Sequence, residues 1–176
     1  DEDVFIANGD AHYLVGWPSL LLENRGNGTF ADAADLGGEV FHAKLRGRAA
    51  AALDFDNDGR VDLLMTGLAD RPLLLRNRSP VRKHWLTLRL EGSRANRDGF
   101  GAQVRVTAGG RTTVHLSRAP TSFLMQGDPR IHVGLGDADR VTRLEVLWPG
   151  GRTQTLTYVP ADQVLDIQEP DSEARP

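Results

Sequence analysis

Four carboxylates stand close together in the stretch LDFDNDGRVDLL, residues 53–64. They belong to Asp54, Asp56, Asp58 and Asp62, with Gly59 between the third and the fourth. Like charges at this density repel one another, so a folded loop that gathers them loses stability unless a positive charge lies between them. The whole chain carries a formal net charge of only -3 over 176 residues. The local cluster therefore predicts a cation site.

The spacing of the oxygen donors indicates which cation. Counted from Asp54, carboxylates occupy the first, third, fifth and ninth positions, a glycine bend the sixth, and Arg60 at the seventh offers its backbone carbonyl. Hard oxygen donors in this arrangement are typical of calcium loops. Met65 stands where an EF-hand needs a bidentate glutamate, so the loop is not an EF-hand. The predicted calcium ligands are Asp54, Asp56, Asp58, Arg60 by its carbonyl, and Asp62.

Two other interpretations of the loop stay open at this point. The first is an acidic turn without a metal, in a hairpin between AAALDF and VDLLMTG. The second is a magnesium site, which the pattern favours less because Mg²⁺ needs a small octahedral cage and keeps its waters. With every predicted donor engaged in holding the ion, none is left to activate a water molecule. The expected role of the ion is therefore structural.

The elements that must position this loop are predicted to be strands. Short segments such as WLTLRL, AQVRV, TTVHL and RIHVGLG are separated by turns rich in glycine and proline. The alanine-rich runs at residues 31–34 and 49–52 are the helix candidates, but both are short and lack a cap. No apolar run approaches the length of about 20 residues that crosses a bilayer. The sequence predicts an all-β protein without a membrane span.

Two parts of the chain differ in residue composition and in the pattern of apolar and polar positions. Residues 1–80 are rich in Asn, Asp and Gly turns, residues 81–170 alternate apolar and polar positions, and residues 171–176 form a polar tail. The stretch RNRSPVRKHW between them carries Arg76, Arg78, Arg82 and Lys83. We interpret it as an exposed connector in preference to an anion site.

The alternation of apolar and polar residues predicts a β-sandwich in the second part of the chain. The core-facing residues are predicted to include Leu86, Leu88, Leu90, Val104, Val106, Val114, Leu116, Ile131, Val133, Leu135, Leu144, Val146 and Trp148.

Other chemistry is poorly represented in the sequence. There is no cysteine, hence no disulfide or thiolate site, and a pI near 5.9 argues against nucleic-acid binding. No nucleophile elbow, phosphate loop or paired-histidine motif occurs, and the five histidines are scattered. Asp10 and His12 in NGDAH lack a third member, and Asp137 and Asp139 are predicted to lie in a turn. Catalytic residues stay unknown, and enzymatic activity stays open.

Family resemblance covers nearly the whole chain. LLENRGNGTFADAADLGG, RAAAALDFDNDGRVDLLMTG and PLLLRN resemble the FG-GAP/VCBS repeat, the blade unit of integrin-type β-propellers. HWLTLRLEG, NRDGFGAQVRV, IHVGLGDADRV, LEVLWPGG and QVLDIQE resemble the ASPIC/UnbV domain, in the order of the C-terminal part of cartilage acidic protein-like proteins. The resemblance implies one or more partial propeller blades followed by a β-sandwich, and the same five calcium ligands. Ala49 departs from the glycine that many relatives have there.

The resemblance also implies a partner and a role. A propeller needs about four to eight blades, and residues 1–80 supply little more than one. The expected partner is the N-terminal remainder of the same propeller, in a longer chain or as a separate piece cleaved before Asp1. The expected function is a non-catalytic binding or scaffold module, extracellular or periplasmic, with a small-molecule or protein ligand not identified. The alternative is a bacterial enediyne-type biosynthesis protein, cytoplasmic, that acts as an enzyme or binds an intermediate.

Overall fold

The structure is a computed structural model that describes residues 2–10, 12–80, 82–118, 121–123 and 125–170. These residues are almost entirely in strands and turns, with one short helix, α1 (Ala34–Gly37), and one 3-10 turn, Glu39–His42. The predicted all-β class is confirmed. Asp1 and the tail predicted at residues 171–176 lie outside the described residues. Within those ranges no helix has the length and apolar character needed to cross a bilayer.

Fifteen strands occur in the described part of the chain. In order they are β1 (Val4–Ile6), β2 (Leu20–Asn24), β3 (Phe30–Asp32), β4 (Gly47–Leu53), β5 (Asp62–Gly67), β6 (Leu73–Leu75), β7 (His84–Glu91), β8 (Gln103–Ala108), β9 (Arg111–Leu116), β10 (Thr121–Ser122), β11 (Met125–Gln126), β12 (Ile131–Gly136), β13 (Arg140–Leu147), β14 (Thr153–Pro160) and β15 (Gln163–Gln168).

The chain divides into two compact units. The first contains the described residues up to Leu53, together with Val61–Asn77 and Thr121–Gly127. The second contains Asp54–Arg60 and the remaining described residues. The domain boundary predicted near residue 80 stays a prediction. The two units differ from a simple cut there because the acidic loop groups with the second unit and the β10–β11 hairpin groups with the first.

The first unit consists of small antiparallel sheets. Their strand orders are β1-β2-β3, β4-β5-β6 and β10-β11. The alanine run at residues 49–52 is in strand β4, where Ala50 pairs with Met65 and Ala52 with Leu63. Alanine favours helix, but cross-strand pairing overrides that local preference. Among the described residues of this unit, the buried apolar side chains are those of Ala33, Phe41, Ala49 and Met65.

The second unit is a β-sandwich with one continuous core. A three-stranded sheet, β12-β7-β15, faces a four-stranded sheet, β14-β13-β8-β9. Strand β15 runs parallel to β7, whereas the other pairs are antiparallel. Both sheets contribute alternate residues to the core, as the period of two predicts. The buried core consists of Leu86, Leu88, Leu90, Ala102, Val104, Val106, Ile131, Val133, Val141, Leu144, Val146, Trp148, Val159 and Ile167.

Strand β9 has the predicted period of two, but the face of the strand that points to the core is not the predicted one. Val114 is 52% exposed and Leu116 is 58% exposed, so the prediction that they face the core is wrong. Residues paired directly across antiparallel strands share a face of the sheet. His115 pairs with the buried Val104, and Val114 pairs with the exposed Arg105. The register with β8 therefore directs the apolar residues of β9 outward.

Candidate metal centre

The acidic loop closes a hairpin, as the sequence predicts. Strands β4 and β5 pair in register as far as Leu53 and Asp62, which leaves residues 54–61 as the connection. Two loop residues adopt left-handed backbone conformations, Asn57 with φ 55° and Gly59 with φ 85°. Asparagine and glycine are the residues that adopt this conformation most readily. The loop therefore turns where its sequence permits it.

Three of the predicted ligands converge. One carboxylate oxygen from each of Asp54, Asp56 and Asp58 lies within 4.8 Å of the others. Asp54 is buried at 6% exposure, Asp58 is partly buried, and Asp56 is exposed. Carboxylate oxygens are the donors that hard divalent cations prefer. The arrangement can hold a metal ion.

Backbone hydrogen bonds hold the loop in this shape. The carboxylate of Asp54 accepts the N–H groups of Asp58 at 3.1 Å and Gly59 at 2.9 Å. The carboxylate of Asp58 accepts the N–H of Arg60 at 3.0 Å. These bonds fix the orientation of the Asp54 and Asp58 carboxylates relative to the loop backbone. The alternating spacing of the aspartates thus organises the backbone as well as the donors.

The guanidinium group of Arg60 contributes charge that the sequence interpretation did not assign to it. Its Nη2 forms an ion pair with Oδ2 of Asp58, and both side chains are mostly buried. The predicted contribution of Arg60 was its backbone carbonyl, and that ligand assignment stays a prediction. Because opposite charges attract over this short separation, the ion pair offsets part of the repulsion among the acids.

Asp62 is not part of the group of three converging carboxylates. It is the first residue of β5, only 1% exposed, and its Oδ1 accepts the backbone N–H of Asn77 at 2.7 Å. The side-chain amide of Asn77 donates in turn to the carbonyl of Val61 at 3.2 Å. In the first unit Asp62 therefore ties the end of the hairpin to the segment after β6. Its assignment as a calcium ligand stays a prediction.

The loop lies against the outer face of the three-stranded sheet. A Cβ atom placed on Gly59 would collide with the indole ring of Trp85 in β7. His132 of β12 stacks on the same indole, with ring centroids 6.0 Å apart and planes 13° apart. Burial lowers the pKa of His132, and its Nδ1 lies 3.1 Å from Oγ1 of Thr87. Trp85 and Thr87 are thus buried on the face opposite the main core.

Arg130 is a loop contact that sequence reasoning missed. Its Nη1 donates to Oδ1 of Asn57 at 2.6 Å, and its Nη2 donates to the carbonyl of Asp54 at 3.1 Å. Its Nε and Nη2 also donate to the carboxylate of Asp128. Burial alone would raise the pKa of Asp128, but the hydrogen bonds from Arg130 outweigh it and lower that pKa. Nothing in the stretch GDPRIHV signals a contact more than 70 positions away.

The other candidate residues have local structural roles. Oδ1 of Asp10 accepts the backbone N–H groups of His12 at 2.7 Å and Tyr13 at 3.1 Å. Asp137 pairs with Lys83 and Asp139 with Arg140, and these four side chains are exposed. Trp148 is buried, as predicted, and its Nε1 donates to Gln154 at 3.1 Å.

Two family models match the chain. Residues 1–65 match the FG-GAP-like repeat, and residues 92–174 match the family described as ASPIC and UnbV. Both matches fall on the parts of the chain where the sequence motifs predict them. The resemblance stated from those motifs is therefore confirmed.

Three curated proteins that are similar to this chain share the name cartilage acidic protein 1. Cartilage acidic protein 1 of Xenopus tropicalis is 27% identical over 147 residues, which cover 76% of this chain and 21% of that protein. The proteins of the same name from Mus musculus and Homo sapiens are each 25% identical over 150 residues, or 77% of this chain. Those alignments cover 22% of the mouse protein and 21% of the human protein. The chain thus spans about a fifth of the length of these relatives.

Proposed function

We propose that this chain binds Ca²⁺ at the acidic loop and that the ion stabilises a non-catalytic binding or scaffold module. The observation that carries the proposal is the convergence of the Asp54, Asp56 and Asp58 carboxylates within 4.8 Å of one another. The loop also follows the calcium-type spacing of donors around a glycine.

The donor chemistry supports a calcium ion in preference to magnesium. A carboxylate has about four lone-pair sites, so the oxygens of Asp54 can accept backbone N–H groups and still coordinate a cation. Ca²⁺ takes about six to eight oxygen ligands in a flexible geometry, whereas Mg²⁺ needs a rigid octahedron. The carbonyl of Arg60 and the carboxylate of Asp62 complete the proposed ligand set on the strength of the loop spacing alone.

Calorimetric titration of the chain with CaCl₂ and MgCl₂ tests this proposal. The Asp56→Asn variant removes an exposed carboxylate of the cluster and is expected to weaken Ca²⁺ binding at least tenfold, because one charged ligand is lost. Asp137→Asn removes an exposed carboxylate that pairs with Lys83 instead, and it is expected to leave the affinity unchanged. If the unaltered chain binds no Ca²⁺ at millimolar concentration, the loop is an acidic turn without a metal.

We propose an extracellular or periplasmic location for the module. Calcium sites of extracellular modules have dissociation constants of about 10⁻⁴ to 10⁻³ M, which only compartments rich in calcium can fill. The name of the similar proteins refers to cartilage, which supports the extracellular choice. No finding on the described residues supports a cytoplasmic biosynthetic role, and that alternative stays a hypothesis.

We propose that the first unit packs against further propeller blades from the N-terminal remainder of the protein. Its sheets have only two or three strands each and bury few apolar side chains among the described residues, so further strands packed against them would add to their stability. Several large apolar side chains of this unit are exposed: Val4, Ile6, Trp17, Phe30, Leu36 and Leu74. Native mass spectrometry of the full-length gene product, intact or cleaved before Asp1, tests this. Pieces that separate freely under native conditions would contradict it.

A further inference from the structure

The side chain of Arg130 anchors the acidic loop to the sandwich. The guanidinium of Arg130 donates to two points of the loop, the side chain of Asn57 and the carbonyl of Asp54. Arg130 lies just before β12, and the carboxylate of Asp128 holds its Nε at 3.0 and 2.8 Å. All of these residues belong to the second compact unit. The guanidinium group of Arg130 therefore connects the loop to the three-stranded sheet that contains Trp85.

Electrostatics alone does not account for this arrangement. A fixed positive charge beside a cation site disfavours the cation, so a residue that served only to tune the charge would lower the affinity. Arg130 instead uses its planar set of donors to bind neutral acceptors, the Asn57 amide oxygen and the Asp54 carbonyl, while Asp128 compensates its charge. These contacts restrain the backbone of a residue whose carboxylate belongs to the acidic cluster.

We propose that Arg130 is the positioning residue of the acidic loop, and that it couples the arrangement of the loop to the folded β-sandwich. Gly59 packs directly against the indole of Trp85. Cation binding at the loop then stabilises the sandwich, because an ion that binds only the folded loop shifts the folding equilibrium of the unit that contains it. The part that concerns cation affinity rests on the proposed calcium site.

Amide hydrogen exchange and calcium titration of the Arg130→Met variant test the proposal together. Without any metal, the exchange of the Asp58 and Gly59 N–H groups, which donate to Asp54, is expected to accelerate at least tenfold. Exchange of the core amides of β8 and β13 serves as the internal measure of global stability. Ca²⁺ affinity is expected to fall about tenfold, as is typical when a residue that orients a metal ligand is removed.

The sign of the affinity change separates positioning from charge. If Arg130 acted only through its charge, Arg130→Met would bind Ca²⁺ more tightly, because a repulsive charge is removed. Arg130→Lys retains the charge but lacks the planar set of donors that contacts Asn57, Asp54 and Asp128 together, so positioning predicts a loss of affinity in this variant too. Arg143→Met is the matched control, since Arg143 pairs with Glu145 on an exposed face of β13. It is expected to change neither measurement.

The outcomes distinguish this inference from the calcium proposal. Unchanged loop exchange in Arg130→Met, or tighter Ca²⁺ binding, overturns the positioning role while the calcium site stands. If the unaltered chain binds no Ca²⁺ but the variant loop exchanges faster, the calcium proposal fails and the positioning role stands. If Arg130→Met does not fold, Asp128→Asn replaces it with loop exchange as the readout. Faster loop exchange then supports the inference, and unchanged exchange overturns it.

Discussion

Gly59 is a residue at which backbone conformation and packing both exclude a side chain. Its φ of 85° lies in the left-handed region, and the space where a Cβ would stand is taken by the Trp85 indole. The sequence indicates this glycine as the bend of a cation loop. The structure adds a second reason for it, which is the close approach of the loop to the sheet.

We expect Gly59→Ala to lower the free energy of unfolding by at least about 2 kcal/mol, because the left-handed conformation alone costs an alanine about 1–2 kcal/mol. Displacement of the Trp85 indole adds to that cost. Urea denaturation measures the change. Gly150→Ala is the matched control, because its Cβ would meet open space and its backbone is not left-handed. If Gly59→Ala and Gly150→Ala had the same free energy of unfolding, the close approach of Gly59 to the Trp85 indole would be contradicted.

Glu169 is a second residue whose role is visible only in the folded chain. Its buried carboxylate accepts the backbone N–H groups of Ser93, Arg94 and Ala95 at 2.9 to 3.0 Å. These hydrogen bonds, with that of Ala95 the strongest, favour the ionised form and lower the pKa of Glu169 below its ordinary value of about 4.5. The ionised side chain therefore fixes the loop that follows β7.

We expect stability from Glu169 to be fully present above pH 4.5 and lost as the pH falls through its lowered pKa. The sign follows because the unfolded state takes up the proton first, so acid favours unfolding. Calorimetry from pH 7 to pH 3 should show a lower Tm for Glu169→Gln at neutral pH and a difference that shrinks in acid. Glu91→Gln, at an exposed site in β7, is the matched control and should leave the Tm at neutral pH unchanged.

At the scale of elements, strand β9 shows that a period of two does not reveal which face is buried. Val114 and Leu116 alternate with Thr113 and His115 as a half-buried strand requires. Pairing with β8 places the polar set on the side of the core and the apolar set outside. Strand β9 therefore exposes on its outer face two apolar side chains of a kind that strands usually bury.

We expect Leu116→Ala to change the free energy of unfolding by less than about 0.5 kcal/mol, as exposed positions do, whereas Leu144→Ala should cost about 3 kcal/mol through the cavity it leaves. Leu116 is 58% exposed and Leu144 is 0% exposed. Chemical denaturation of both variants makes the comparison. Equal losses would mean that β9 packs its apolar face inward.

At the scale of the whole molecule, the two compact units differ in how they are stabilised. The second has a continuous apolar core built from both of its sheets. The first has small sheets and few buried apolar side chains among its described residues. The acidic loop groups with the second unit although the strands on either side of it belong to the first. The three converging carboxylates belong to the second unit, so a cation held by them would act on the unit with the larger core.

We expect 1 mM Ca²⁺ to raise the free energy of unfolding of the second unit by roughly 1.4 kcal/mol for a dissociation constant of about 0.1 mM. Calorimetry with Ca²⁺, with Mg²⁺ and with a chelator measures this effect. Mg²⁺ at the same concentration should stabilise less, and the chelator should reverse the shift. An identical increase with both ions would indicate general screening of charge.

Local features of the sequence determined the all-β class, the alternating core positions of β7, β8, β12 and β13, and the acidic hairpin loop. Each of these depends on residues within a few positions of one another. The period of a strand and the turn preference of Asn57 and Gly59 are properties of the local chain, so they can be inferred without the fold.

Only the tertiary structure decided which faces and which distant residues meet. The outward face of Val114 depends on its register with β8, and the burial of Trp85 depends on a loop that precedes it by more than 20 residues. Arg130 reaches Asp54 across 76 positions, and no local pattern encodes that contact. Folding brings such groups together because burying the apolar core fixes the sheets, and the sheets then place their polar side chains.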